Sequence, residues 1–257
     1  MGKGVLIVAL TASLLTSYLS GCVEKHVNKQ DDETLVLTAA QIKTSFLNAI
    51  KGVTSYKYSI NGTIHKVTTN SSGSFTEDES LIQNGVVNIS SKRLMIDQEY
   101  NGHTIYYLID NVLYEGDEDD EGNINWSSHD MRKLYSDPTN QSWIAFSQLE
   151  RQAYFVLNHS RHIERLGDES VGNISFYVLN ASLDFGPNVD VKWDTIRYWL
   201  SKEDHLLVKA YLKVTWNMGN STDANNESAV EVQDMNLFFY DYNKPVEVTL
   251  PDEITWS

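Results

Sequence analysis

Apolar and polar side chains alternate with a period of two along most of this chain, a pattern that confines it to strands with one wet face. The clearest run sets Val208, Ala210, Leu212, Val214 and Trp216 against Lys209, Tyr211, Lys213 and Thr215. A second sets Tyr56, Tyr58, Ile60, Gly62 and Ile64 against Lys57, Ser59, Asn61, Thr63 and His65. Further strands are expected at 81–89, 93–100, 104–110, 112–114, 163–166, 174–183, 196–201, 229–242 and 246–250, with loops at 167–172 and 219–226. Asn101-Gly102 is a hairpin signal. In the run from Ile174, Asn180 shares parity with Phe176 and Val178, so either that strand bends there or the Asn180 sequon is silent.

Two segments break the pattern. Thr38-Ala39-Ala40-Gln41 is a capping box, followed by Ile42, Phe46, Ala49, Ile50 and Val53 at helical spacing, with Gly52 as the stop. Asp137-Pro138 opens a second helix whose apolar stripe is Trp143, Phe146, Leu149, Ala153, Val156 and Leu157. One helix, several strands, a second helix and more strands at hairpin spacing predict an α+β fold, a large antiparallel sheet with few helices.

The N-terminus reads as an export signal. Lys3 precedes an uncharged apolar run, VLIVALTASLL at 5–15, whose helix would rise only about 16 Å, half a bilayer core. Leu19-Ser20-Gly21-Cys22 then resembles the lipobox of bacterial and archaeal lipoproteins, in which the cysteine takes the lipid. The competing reading is an uncleaved membrane anchor; Thr11, Ser13, Thr16 and Ser17 weaken it. The expected organisation is a signal peptide at 1–21, a polar tether at 22–36 and one domain at 37–257. With Cys22 the only cysteine, no disulfide framework is possible and the fold must rest on its core.

The formal net charge is −15, which repels phosphate backbones and anionic headgroups; nucleic acid is excluded as a natural partner, and membrane residence would depend on the anchor. Asn-x-Ser/Thr sequons stand at Asn61, Asn70, Asn88, Asn125, Asn140, Asn158, Asn173, Asn180, Asn220 and Asn226. The Asn and Ser/Thr content alone would give about three by chance. The excess fits a glycosylated surface, and with a lipobox it suggests an archaeal cell surface; an Asn- and Ser-rich composition is the plainer alternative.

Several signatures in order resemble lipoproteins of the LolA, LppX and LprG superfamily: SYKYSINGTI (55–64) after the first helix, IYYLIDNVLYEG (105–116), INWSSHD (124–130), HIERLGDESVGNISFYVLNASLD (162–184), IRYWLSKEDHLLVKAYLKVTW (196–216) and the closing YNKPVEVTLPDEI (242–254). The resemblance implies a strongly curved half-barrel wrapped over a few helices, which binds or carries a lipid, a lipoprotein acyl chain or a lipid-linked glycan between sheet and helices. Phe46 and Ile50 on the first helix and Phe146, Leu149 and Ala153 on the second are the candidate cavity residues. The same five residues serve as core if the layers close on one another. The expected location is the outer face of the cytoplasmic membrane, with a lipid or an envelope protein as partner.

Catalytic chemistry finds no support. There is no G-x-S-x-G elbow, no P-loop and no dinucleotide fingerprint, so neither catalytic residues nor a cofactor is expected. The run Asp117-Glu118-Asp119-Asp120-Glu121-Gly122 resembles the first half of a calcium loop, but the twelfth position is Ser128 and the flanks read as strands. It is read as a solvated hairpin tip. His159, His162 and Glu164 have the minimum spacing of a metal site, yet a helix C-terminus accommodates histidine for electrostatic reasons alone, and no metal is expected.

Overall fold

In a computed structural model, the structure describes residues 36–70, 72–133, 157–160, 162–183, 191–218, 228–252 and 254. Helix α1 (Ala39–Ala49) starts where the capping box sets it: the Gln41 backbone N–H donates to Thr38 Oγ1 at 3.3 Å and the Thr38 N–H to Gln41 Oε1 at 2.8 Å. It tightens into a 3₁₀ turn (Ile50–Gly52) before the strands begin. These are β1 (Ser55–Asn70), β2 (Gly73–Asn88), β3 (Arg93–Glu99), β4 (His103–Ile109), β5 (Val112–Glu118), β6 (Ile124–Asp130), β7 (His162–Val171), β8 (Ile174–Ser182), β9 (Val191–Ser201), β10 (Leu207–Met218) and β11 (Ser228–Tyr240).

All eleven strands lie in one antiparallel sheet, in the order β6-β5-β4-β3-β2-β1-β11-β10-β9-β8-β7. Two meanders, β1 to β6 and β7 to β11, are therefore joined at the centre by the first and last strands, and the sheet stays open with β6 and β7 as edges. This is the α+β architecture expected from the alternation. The long run from Ser55 to Asn70 pairs along its whole length on both sides, from Lys57 opposite Tyr240 to Thr69 opposite Ser228, and from Ser55 opposite Asn88 to Asn70 opposite Gly73.

Two strand expectations are corrected. Residues 167–172, read as a loop for their glycines and polar side chains, continue β7 as far as Val171; the irregularity is a bulge between Arg165 and Gly167. Residues 246–250, read as a strand, make no ladder. They lie in a tail tied down by Ser55 Oγ to the Lys244 carbonyl (2.7 Å), Asn88 Nδ2 to the Val246 carbonyl (3.1 Å) and Tyr242 Oη to the Leu207 carbonyl (2.7 Å), and Val248 is buried. Proline at 245 and 251 brackets this tail, and each removes an N–H that a ladder would need. The second helix expected from Asp137 to Leu157 lies outside the described residues except for Leu157, which is buried in a helical turn at 157–159.

One face of the sheet carries the core. Tyr56, Tyr58 and Ile60 on β1, Val87 on β2, Leu94 and Ile96 on β3, Leu108 on β4 and Leu113 on β5 are buried there. So are Leu179 and Ala181 on β8, Ile196, Tyr198 and Leu200 on β9, Ala210 and Leu212 on β10, and Met235, Leu237 and Phe239 on β11. Ile42 and Phe46 of α1 pack into the same cluster. Lys43 anchors the helix to the chain returning toward β7, donating to the carbonyls of Asn158 (2.8 Å) and Ser160 (3.3 Å), and this partial burial lowers its ammonium pKa.

The outer face carries smaller polar devices. The His103 imidazole bridges three strands, with Nδ1 2.6 Å from Glu118 of β5 and Nε2 2.9 Å from Asp97 of β3. Hydrogen bonds to Glu118 and then Asp97 raise its pKa above the ordinary histidine value. A pKa raised on folding contributes stability that is complete below the unfolded value of about 6.5 and is lost as pH rises through the folded value. Both carboxylates are more than a third exposed, so the contribution is at most about 1 kcal/mol. Thermal melts between pH 6 and 8.5 should show the wild type losing stability relative to His103→Asn as pH rises; parallel curves would refute the clamp.

Candidate functional site on the inner face of the sheet

The registers align one row of side chains across the core-bearing face: Arg165 (β7), Leu179 (β8), Tyr198 (β9), Ala210 (β10), Leu237 (β11), Ile60 (β1) and Gln83 (β2). The row continues through Gln98, Thr104 and Asp117 to Asn125 on β6. Its centre is apolar and closed. Its two shoulders are polar, and Tyr198 and Gln83 are 0% and 1% exposed.

These shoulders hold polar atoms with no hydrogen-bond partner among the described residues: Tyr198 Oη, Gln83 Oε1 and Arg165 Nε. Gln83 spends its amide nitrogen on Tyr58 Oη at 2.7 Å, which leaves its carbonyl oxygen free. Burial pushes the Tyr198 phenol well above its ordinary pKa, so it stays a neutral hydroxyl able to donate. A buried orphan polar atom costs roughly 1–3 kcal/mol, so three in one row call for a partner of their own. Four strand spacings separate Tyr198 from Gln83, roughly 19 Å along the sheet.

Of the residues singled out in the sequence, Phe46 is buried in the core and Ile50 lies half-buried against it. Phe146, Leu149 and Ala153 lie outside the described residues, as does Cys22 with the whole of 1–35. A groove of about 460 Å³ sits at the polar seam between the tail and the ends of β1 and β2, lined by Thr54, Ser55, Asn88, Asn243 and Lys244. It is not under α1.

The sequons divide by environment. Asn61 is exposed on the outer face, and Asn173 is exposed at the β7–β8 turn. Asn125 is exposed but donates to Asp119 at 3.2 Å; Asn158 and Asn180 are half-buried. Asn180 faces outward with Phe176 and Val178, a strand face that is buried at both neighbours, which explains its awkward parity without a bend. Asn88 uses its whole amide internally, Nδ2 to Val246 and Oδ1 from the Ser91 N–H at 3.0 Å. The side chain of Asn70, at the end of β1, and all of Asn140, Asn220 and Asn226 lie outside the described residues.

The acidic loop is the β5–β6 hairpin tip. Asp119 Oδ1 accepts the backbone N–H of Asn123 (2.9 Å) and of Glu121 (3.0 Å), bonds that hold its carboxyl below the usual range and bind it to its own turn. His159 is exposed in its helical turn, and His162 and Glu164 are exposed on β7. Among the described residues no group of three or more His, Cys, Asp or Glu side chains is placed to hold a metal ion.

The sequence reading missed Gln83 and Tyr198. Gln83 had a legible signal, a carboxamide in the apolar phase of Leu81, Gly85 and Val87. Tyr198 had none, since a tyrosine between Ile196 and Leu200 reads as core whichever way its hydroxyl ends up.

No family model and no curated protein matches the chain. Similar solved structures include LprF from Mycobacterium bovis, at 13% identity over 83% of this chain and 96% of that one, with a TM-score of 0.44. The Mycobacterium tuberculosis lipoprotein LppX is 17% identical over 81% of this chain and 96% of its own, with a TM-score of 0.38. A LolA superfamily protein from Nitrosomonas europaea is 10% identical over 85% and 97%, with a TM-score of 0.24.

Proposed function

We propose that this is a lipid-anchored extracytoplasmic protein that holds an apolar ligand, such as a lipid, a lipoprotein acyl chain or a lipid-linked glycan, against the inner face of its sheet. The observation that carries the reading is a broad apolar inner face, running through most of eleven strands and roughly 48 Å across, on which the buried atoms Tyr198 Oη and Gln83 Oε1 have no partner among the described residues. The buried Tyr198 hydroxyl and Gln83 carbonyl supply a donor and an acceptor for the oxygens of such a ligand. Each buried methylene adds about 0.8 kcal/mol, so part of one acyl chain suffices for firm retention. The role is binding or carriage, without catalysis.

Native mass spectrometry of protein purified without detergent tests this. The expected spectrum carries additional mass that organic solvent removes, and Tyr198→Phe retains less of it. The same substitution deletes an orphan hydroxyl, so in delipidated protein it should stabilise the fold by about 1 kcal/mol. Spectra at the bare chain mass in repeated preparations would end the proposal.

A surface interaction module is the second reading, favoured by the outer face. Phe238 and Tyr240 are exposed there, and Lys209 Nζ lies 5.4 Å from the Phe238 ring and 4.6 Å from that of Trp199. Such an aromatic and cationic strip suits an envelope protein partner.

A further inference from the structure

Val36 is 72% exposed, Leu166 46%, Val171 71% and Ile174 54%, and all four belong to one edge of the molecule. Val171 and Ile174 flank the Gly172-Asn173 turn at the tip of the β7–β8 hairpin, where Gly172 takes a φ of 59°. Leu166 stands at the bulge in β7. Val36 precedes Leu37, whose carbonyl accepts Arg165 Nη1 at 2.9 Å. Val36, the first described residue after Cys22, therefore stands beside β7.

Thirteen residues lie between Cys22 and Val36, and the fourteen steps that join them reach no further than about 50 Å in any conformation. The β6 edge lies ten strand spacings away from β7, roughly 48 Å across the sheet. A lipid attached at Cys22 thus holds the domain by its β7 edge, and β6 could meet the bilayer first only with the tether drawn out to nearly its full length. The local charge suits contact with neutral or zwitterionic lipid: Arg165 and Lys202 both close on Asp168, so neither is left to seek an anionic headgroup. An alternative occupant, a second copy pairing along β7, meets the bulge at Arg165–Gly167, which interrupts the ladder a new strand would extend.

We infer that the β7 edge, from Val36 to the hairpin tip at Val171 and Ile174, is a membrane-contact surface that dips apolar side chains into the interface of the bilayer holding the Cys22 lipid. This rests on the anchoring at Cys22 proposed above. It also decides the use of one sequon. Asn173 lies between the two dipping residues, and a glycan there would hold the tip in water, so the inference requires Asn173 to be unmodified.

The test uses lipidated full-length protein in phosphatidylcholine vesicles, with an environment-sensitive fluorophore on Val171→Cys or, as control, on Phe75→Cys. Phe75 is also exposed but sits near the β1–β2 turn, at the opposite end of the strands. The Cys22 sulfur is already a thioether and takes no label. Emission from position 171 should move to the blue on vesicle binding and be quenched by nitroxide lipids, while position 75 stays unchanged. Protein that sediments with vesicles while position 171 remains in water overturns the inference and leaves the anchor standing. Protein that does not sediment overturns both. A blue shift that grows with protein concentration in the absence of lipid assigns the edge to a second copy, and a glycan on Asn173 of the native protein also refutes the contact.

Discussion

Gly85→Ala is expected to destabilise the fold by about 3 kcal/mol and lower the melting temperature by roughly 6–12 °C. Gly85 lies on β2 directly opposite Tyr58 of β1, and the Tyr58 ring covers it. A Cβ built on Gly85 would stand 2.0 Å from Tyr58 Cε1, 2.2 Å from Cζ and 2.6 Å from Oη, distances no side chain tolerates. The ring cannot swing aside cheaply: it is buried, its hydroxyl accepts Gln83 Nε2 at 2.7 Å, and Phe239 lies 6.5 Å from it, centroid to centroid. Moving it would break that bond and open space in the core. Gly52→Ala, where a Cβ meets nothing within 4 Å, is the control and should melt within about 2 °C of the wild type. The double variant Gly85→Ala with Tyr58→Leu should lose less than the sum of its parts, because the obstacle is gone. A Gly85→Ala protein that melts with the wild type would mean that the ring does not lie there.

The second large effect is on location. A protease site inserted between Cys22 and Val36 should, when cut, release nearly all of the folded domain from membranes into the supernatant. Stable anchoring takes about two acyl chains, and no other described feature replaces them. Among the described residues no helix is long and apolar enough to cross a membrane, and a net charge of −15 opposes anionic headgroups. Two exposed side chains at the β7–β8 tip orient a tethered domain but are too few to retain a free one. A domain that still sediments after complete cutting would place its membrane attachment elsewhere. The cut acts after export, whereas altering the proposed lipobox would leave the proposed signal peptide in place and confuse the readout.

The strands and their wet faces were legible because each alternation reports burial on one side, as in Val208 to Trp216. The start of the first helix was legible to the residue, since Thr38 and Gln41 name their own bonds, whereas its last turn tightens to 3₁₀ at Ile50–Gly52 and Val53, read at helical spacing, is extended. What failed did so for physical reasons. Glycines at 167 and 172 signal a break only if φ must turn; both take positive φ, but at a bulge and a hairpin tip that leave β7 paired between them. Residues 246–250 have the composition of a strand and lack a ladder, because hydrogen bonds to Ser55 and Asn88 hold the tail instead. The binding surface was read from the helices, whereas the distinctive atoms, Tyr198 Oη and Gln83 Oε1, sit on strands. A row that crosses seven strands is invisible until the register is known.

The β1–β11 seam sets a timetable for folding. Lys57 must meet Tyr240, so the central pair of the sheet cannot form until almost the last residue has been made available. Contacts of such long sequence separation are slow to find, and each meander waits with one open side until they do. If the chain is exported from its N-terminus as proposed above, the delay would work in its favour: the early meander would cross before its central partner strand was available, and the sheet would be sealed only after the whole length had emerged.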